Sequence, residues 1–391
     1  MRLAIISSHP IQYNAPLFKL LAERNYIDLK VFYTWGQAKE KVYDPGFGKE
    51  RKWDIPLLDG YKFEFIKNVS SNPGSSHFKG IINPDLIEKI KLFNPDAILF
   101  YGWNFQSHLK AIRYFKNKIP VWFRGDSTLI DEKGQGLLKK VLRRITLTWV
   151  FKHIDVAFFV GTANKAYFVK HGLNEKQLIF APHAIDYNRF NHNPDDSILK
   201  AKNWRKQLGI PQSAFVFLFA GKLEPKKNPG ILVSAFKKLK SEQNHLILVG
   251  NGILENSLKF DALECKNIHF INFQNQQMMP IVYRIGDVFV LPSQGPGETW
   301  GLAVNEAMAS GLPVIVSDKC GCNLDLIKEN INGFVFKSNN ENELIENLSN
   351  FISGKHDIKQ MGRNSQNIIS KWNYEQICST IENKLTEIYK F

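Results

Sequence analysis

Two glutamates with seven residues between them, Glu298 and Glu306, stand in the run QGPGETWGLAVNEAMASGLPVIVS. The run passes Gly295 and Gly297, reaches Glu298, and becomes a helix that Gly311 and Pro313 terminate. A glycine-bearing loop that feeds a helix start turns backbone N–H groups towards whatever lies there. The residues Thr299, Trp300, Gly301 and Leu302 would present those groups at the positive end of the helix dipole, where a phosphate or sugar hydroxyls can sit. Glu298 falls before the first turn and Glu306 inside the helix, so the two carboxylates should address different parts of one ligand. A carboxylate accepts hydrogen bonds from vicinal hydroxyls, which sugars and riboses offer in pairs.

A second loop, AGKLEPKKNPGIL, carries Lys222 and Lys227 around a tight, proline-containing turn. Two cations beside a phosphate-binding helix start could neutralise a diphosphate without metal. The chain has no Asp-x-Asp pair to hold a divalent ion, so neither a metal nor any other cofactor is expected. Cys320-Gly-Cys322 has no second Cys or His pair near it at ligand spacing and reads as a loop.

These residues need a scaffold, and the apolar pattern supplies one. The short runs 3–7, 29–35, 97–102, 121–125, 156–161 and 178–182 alternate with helical stretches, which is the rhythm of a parallel sheet with crossover helices. A polar stretch at 191–213 interrupts it, and runs at 215–221, 245–250, 268–271, 287–292, 313–317 and 333–336 resume it. The expectation is two doubly wound Rossmann-like α/β domains facing across a cleft: 1–190, a linker and entry helix at 191–213, and 214–365. Residues 366–391 form a C-terminal helix that packs back towards the first domain, with Ile377, Ile381, Leu385 and Ile388 at helical spacing. Ligands of such sheets bind beyond the carboxyl ends of the strands.

The chain resembles the family 4 glycosyltransferases, retaining enzymes of the GT-B fold. The likeness rests on GKLEPKKN, ILVGNG (247–252), YRIGDVFVLPS (283–293) and GETWGLAVNEAMASGLPVIVS (297–317). It covers nearly the whole second domain. It implies that Glu298 lies beside a donor sugar, that Glu306 binds the ribose, and that Lys227 lies on the diphosphate. Lys222 stands where the family usually has arginine, which keeps the charge and changes the grip. The first domain matches more weakly. Its SSHPIQYNAPLFKLLAE, DPGFG (44–48), WDIPLLDGYKF, YGWNFQSH and FRGDS segments are similar to a subgroup among bacterial polysaccharide-assembly enzymes.

His9, Gln12 and Trp103 are cleft candidates on the acceptor side, and Arg124 and Asp126 are catalytic candidates. Many relatives have histidine where Asp126 stands. The resemblance implies retention through a front-face displacement in which the departing diphosphate helps to take the acceptor proton. A double displacement would need a carboxylate at the anomeric carbon, for which Asp126 and Glu298 are the candidates. The expected donor is a nucleotide sugar of UDP or GDP type, and the expected acceptor a glycan or lipid-linked glycan. Nucleotide-sugar epimerases share the fold class but lack this glutamate pair in its EAMA setting.

Net charge is +14 among 391 residues, so an anionic partner is expected. The segment 136–153, GLLKKVLRRITLTWVFKH, places Leu138, Val141, Leu142, Ile145 and Trp149 on one face and Lys139, Lys140, Arg143 and Arg144 on the other. It reads either as an anionic-membrane contact or as a crossover helix with a solvated basic face. No nucleic-acid recognition motif accompanies the charge, so nucleic acid is not expected as a partner. No run approaches the roughly 18 apolar residues of a membrane span, and MRLAIISSHP has no signal-peptide pattern. Four cysteines make no disulfide framework. A cytoplasmic protein, peripheral at the inner face of the membrane, is the expectation.

Overall fold

A computed structural model describes residues 1–36, 42–44, 49–51, 53–132, 136–191 and 193–389. Of the DPGFG segment, residues 45–48 lie outside the described residues. The strands, in chain order, are β1 Arg2–Ser7, β2 Asp28–Tyr33, β3 Val42–Asp44, β4 Lys49–Arg51, β5 Lys62–Phe65, β6 Ala97–Tyr101, β7 Val121–Arg124 and β8 Val156–Phe159. They continue with β9 Leu178–Phe180, β10 Phe215–Ala220, β11 Asn244–Val249, β12 Ile268–Ile271, β13 Val288–Leu291, β14 Val314–Ser317 and β15 Gly333–Phe336.

One sheet runs β5-β2-β1-β6-β7-β8-β9 and a second runs β12-β11-β10-β13-β14-β15. Every pairing in both is parallel. Parallel strands are covered by helices on both faces, which is why they read as unbroken apolar runs. The cores are correspondingly dry: Leu3 to Ile6, Ile98 to Phe100, Val216 to Phe219 and Val288 to Leu291 are all fully buried. Each such side chain stabilises its sheet by about 1.5–3 kcal/mol relative to exposure. The edge strand β5 was not expected as a separate element. Lys62-Phe-Glu-Phe65 alternates polar and apolar, and its exposed side forms ion pairs, Lys62 with Asp28 and Glu64 with Lys30, each at 2.7 Å.

The chain divides into two compact units. One comprises Met1–Lys41, Ile55–His183 and Tyr374–Phe391, the other Val42–Asp54 and Ala184–Asn373. These bounds differ from the sequence expectation in three ways, each with a local cause. The stretch read as a linker contains the helix Pro194–Gln207, which packs on the helix Met279–Ile285 and belongs to the second unit. Arg205 fixes it there by donating to the Ile285 carbonyl at 2.7 Å and to Asp287 at 2.9 Å. The short segment 42–54 also belongs to the second unit, where Asp54 accepts from the Gln277 backbone N–H at 3.2 Å and its carbonyl accepts from the Gln277 side chain at 2.7 Å. At the other end, the helix Ile358–Ile369 stays in the second unit and only Tyr374–Glu387 lies in the first. That last helix buries Ile377, Ile381 and Leu385, and Glu382 pairs with Arg24 at 2.7 Å beside the helix Ala15–Glu23.

Candidate functional site

In the second sheet the strand order reverses between β10 and β13, which are hydrogen-bonded neighbours. The loops that leave their carboxyl ends must therefore diverge side by side and leave a crevice, the usual ligand position in such sheets. The loop after β10 carries Lys222 and Lys227, and the loop after β13 carries Glu298. Topology thus brings together residues 71 positions apart: Lys227 Nζ lies 2.8 Å from Glu298 Oε2. Ser293 Oγ donates to the same carboxylate at 3.1 Å. Both ends of the pair are largely withdrawn from water, with side-chain exposures of 14% and 8%. Burial alone would raise the Glu298 carboxyl, but Lys227, with help from Lys226 and Ser293, holds it below the usual carboxylate range. Burial likewise works against the Lys227 ammonium, and Glu298 overcomes it, so lysine and glutamate are both charged at neutral pH.

The backbone of the Glu298 loop is gripped from behind. The Gly321 N–H donates to the Glu298 carbonyl at 3.1 Å and the Cys322 N–H to the Trp300 carbonyl at 3.0 Å. A Cβ on Gly321 would fall 1.7 Å from the Thr299 carbonyl oxygen, so only glycine permits this approach. Both flanking cysteines are fully buried, and burial pushes the Cys320 thiol up to about 12. Cys320-Gly-Cys322 is therefore a neutral brace for the loop. Among the described residues no group of three or more His, Cys, Asp or Glu is placed to hold a metal ion.

Gly301, at φ +96°, turns the chain into the helix Leu302–Ala309. Trp300 directs its side chain inward, donating from Nε1 to Asn305 at 2.8 Å and lying 5.2 Å from the Trp372 ring. What Trp300 offers a ligand is thus its main chain. Thr299 and Leu302 are half-buried beside it. Glu306 is buried one turn further along and accepts a 2.7 Å hydrogen bond from the Tyr283 hydroxyl. Tyr283 is itself fully buried and packed edge-on against Phe190 and Phe289. Sequence reasoning passed over Tyr283. Its only signal is that it opens the segment YRIGDVFVLPS.

The first sheet has its own reversal, between β1 and β6. The loop after β1 holds His9 and Gln12, and the loop after β6 holds Trp103. His9 accepts or donates at Nδ1 to Ser8 Oγ at 3.0 Å and meets Trp35 edge-on. Gln12 and Trp103 are half-buried. His108 pins the Trp103 loop through the Gly102 carbonyl at 3.0 Å, and burial lowers its pKa to about 4, so it is a neutral strut.

Arg124, expected to be catalytic, has its guanidinium buried and donating to the carbonyls of Ala181 at 2.8 Å and Pro182 at 2.7 Å. That makes it a positioning residue: it ties the loop after β7, which bears Asp126, to the loop after β9, which bears His183. Across this tie His183 Nε2 lies 3.9 Å from Asp126 Oδ2. Burial lowers the His183 pKa while Asp126 opposes it. His183 was not singled out in the sequence, where it follows the β9 apolar run without any motif of its own.

Residues 200–368 match the family described as Glycosyl transferases group 1. Over that stretch the chain is similar to the group 1 glycosyl transferases, and its two sheets are those of the GT-B fold. It is 33% identical over 198 residues to the UDP-Gal:alpha-D-GlcNAc-diphosphoundecaprenol alpha-1,3-galactosyltransferase of Escherichia coli, covering 48% of each chain. It is 26% identical over 314 residues to the lipopolysaccharide 1,2-N-acetylglucosaminetransferase of Salmonella typhimurium, 73% of this chain and 80% of that one. The E. coli alignment spans about half the length of either protein. Among solved structures, Anabaena HepE in complex with UDP and glucose superimposes with a TM-score of 0.73 at 20% identity, over 99% of this chain and 100% of that one. The family match falls within the second unit, the one that holds Lys227, Glu298 and Glu306.

Proposed function

We propose that the protein is a retaining glycosyltransferase that moves a sugar from a UDP-type nucleotide sugar to a glycan or lipid-linked glycan during cell-surface polysaccharide assembly. The observation that carries this reading is the buried Lys227–Glu298 pair at the sheet reversal, with Glu306 one helix turn beyond it. Lys227 and Lys222 meet the diphosphate, and the main-chain N–H groups from Thr299 to Leu302 continue that surface. Glu298 faces the donor sugar and Glu306 the ribose. As the anomeric bond lengthens, negative charge gathers on the diphosphate, and preoriented cations and N–H groups stabilise it most at that moment. Leaving-group stabilisation of this kind needs no divalent ion. UDP in the complexes of HepE and the diphosphate-linked acceptor named for the E. coli relative support the donor and acceptor classes.

The acceptor is read by the other unit, around His9, Gln12, Trp103 and Asp126. No helix among the described residues is long and apolar enough to cross a membrane. The working place is the cytoplasm, at the inner face of the membrane, reached through the segment 136–153.

Thermal unfolding tests the donor reading. UDP at about 100 times its dissociation constant should add about 2.7 kcal/mol of stability. The shift should persist in excess EDTA, and GDP, ADP and TDP should shift less. A shift that vanishes in EDTA and returns with Mg²⁺ defeats metal independence, and no shift with any nucleoside diphosphate defeats the reading.

Tyr283 has a specific place in this scheme. By engaging Oε2 of Glu306 it aims the rest of the carboxylate at the ribose diol. Tyr283→Phe should weaken UDP about 3–10-fold, the loss of one ordinary hydrogen bond. The same change should weaken 2′-deoxy- or 3′-deoxy-UDP less, because part of the Glu306 contact is already missing. Equal losses for all three nucleotides in calorimetry would make Tyr283 a packing residue only.

A further inference from the structure

The helix Leu137–Phe151 turns a different face inward from the one its spacing suggests. Its buried residues are Leu147, Val150 and Phe151, whereas Leu138, Val141, Leu142, Ile145 and Trp149, expected to pack on the sheet as one apolar side, are exposed. Arg143 lies four residues before Leu147 and eight before Phe151, so it shares their face and leaves the solvated basic one on which it was expected. Its Nη2 donates to the Tyr167 hydroxyl at 2.9 Å, and its Nε lies 3.2 Å from Glu132 Oε1.

The Glu132 carboxylate is shared. Oε1 accepts from His171 Nε2 at 2.8 Å and Oε2 from Lys170 Nζ at 3.0 Å. Burial works against its charge, but Lys170 and His171 hold it below the usual carboxylate range, while burial keeps His171 itself below its usual range. At neutral pH this one carboxylate therefore answers two full cations, Lys170 and Arg143. The contact with Arg143 Nε is also too poorly directed for a hydrogen bond. Glu132 and Tyr167 thus fix where the guanidinium lies without using all its donors: Nη1 has no partner among the described residues. The Arg143 side chain is 39% exposed, and it lines a cavity of about 450 Å³.

The cavity has two kinds of lining. Phe123, Phe151, Phe168 and the half-buried Trp103 make it aromatic, and Asp126, Ser127 and Arg143 make it polar. A wholly apolar occupant would strip water from Asp126 and Arg143 and return nothing. A bare inorganic ion would leave the aromatic rings unfilled. A pyranose suits both, with C–H faces for the rings and hydroxyls for Asp126 and Ser127. The donors of Arg143 then remain for a negative group, and the planar guanidinium fork matches two oxygens of a phosphate or carboxylate. We infer that this cavity takes an acceptor sugar that carries an oxyanion, and that Arg143 selects for the anion. The inference rests on the acceptor-side reading above and deepens it. The oxyanion is the phosphate ester that joins the sugar to a carrier or the carboxylate of an acid sugar, and these two sources can be told apart.

Ligand-observed NMR on the full chain tests this with N-acetylglucosamine 1-phosphate, glucuronic acid, neutral N-acetylglucosamine and inorganic phosphate. At neutral pH wild type should hold at least one of the two anionic sugars about 10–100-fold more tightly than N-acetylglucosamine or inorganic phosphate, and the tighter of the two identifies the anion. Arg143→Gln should remove that preference and leave the weak binding of the neutral sugar. Arg143→Lys, which keeps the charge and loses the fork, should recover part of it. Glu132 keeps Lys170 and His171 in both variants, so the unfolding midpoint without ligand should stay close to wild type and report a folded protein. Thr146→Trp, which fills the cavity from the same helix, should weaken anionic and neutral sugars alike. An Arg143→Gln protein that keeps the preference, inorganic phosphate that binds as tightly as the sugar anions, or no binding of either anionic sugar overturns the inference. The UDP-induced thermal shift is read on the same proteins: its absence, with Arg143-dependent sugar binding intact, would instead overturn the donor reading and leave the cavity assignment standing.

Discussion

Glu298→Gln is expected to lower sugar transfer at least a hundredfold while leaving the affinity for UDP within a few-fold. Glu298 is charged, buried and joined to Lys227 at 2.8 Å before any donor arrives. In the proposed function a donor diphosphate draws Lys227 partly away, and the carboxylate then faces the sugar, where positive charge develops as the leaving group departs. An interaction stronger in the transition state than in the ground state appears in kcat and leaves ground-state affinity largely alone. Removing one preorganised electrostatic group of this kind costs about 10²–10³ in rate. Glutamine keeps the shape and can still accept from Lys227 and Ser293, so the loop braced by Gly321 should persist. Single-turnover kinetics and UDP calorimetry on the same variant decide the matter. Near-normal turnover would remove Glu298 from the sugar.

Glu306→Ala should behave differently. Free UDP and the sugar nucleotide should both bind about 10–100-fold more weakly and by the same factor, because the ribose is common to them and a hydrogen bond to a charged group is worth about 1.5–3 kcal/mol. The variant also leaves the buried Tyr283 hydroxyl without the acceptor it now has at 2.7 Å, so unfolding should begin at a lower temperature in the absence of ligand. Unchanged UDP affinity in calorimetry would refute the ribose role, whatever happened to transfer.

The two sheets were legible because strands buried on both faces must be apolar throughout, and runs such as Phe215–Ala220 and Val288–Leu291 admit no other reading in their setting. The Glu298 to Glu306 block was legible for a related reason: loop, helix start and both carboxylates are contiguous, so local chemistry alone groups them. What escaped was non-local. Tyr283 meets Glu306 only because a helix and strand intervene at the right length, and His183 meets Asp126 only because β7 and β9 flank β8 and Arg124 joins their loops. Charge counting also misassigned Arg143. Periodicity gives the face of a helix but not which face has a partner, and a buried acid from outside the helix, Glu132, decided it.

The placement of Tyr374–Glu387 in the first unit has a bearing on how the molecule is made. During synthesis the chain emerges in order, so the helix Ala15–Glu23 is made before the second unit's segment Ala184–Asn373, and the helix Tyr374–Glu387 that packs on it is made after that segment. The second unit, whose residues end at Asn373, can close its core first. Until Ile377, Ile381 and Leu385 arrive, the surface they bury stays open to water and to other nascent chains. Completion of the first unit is thus coupled to prior synthesis of the second.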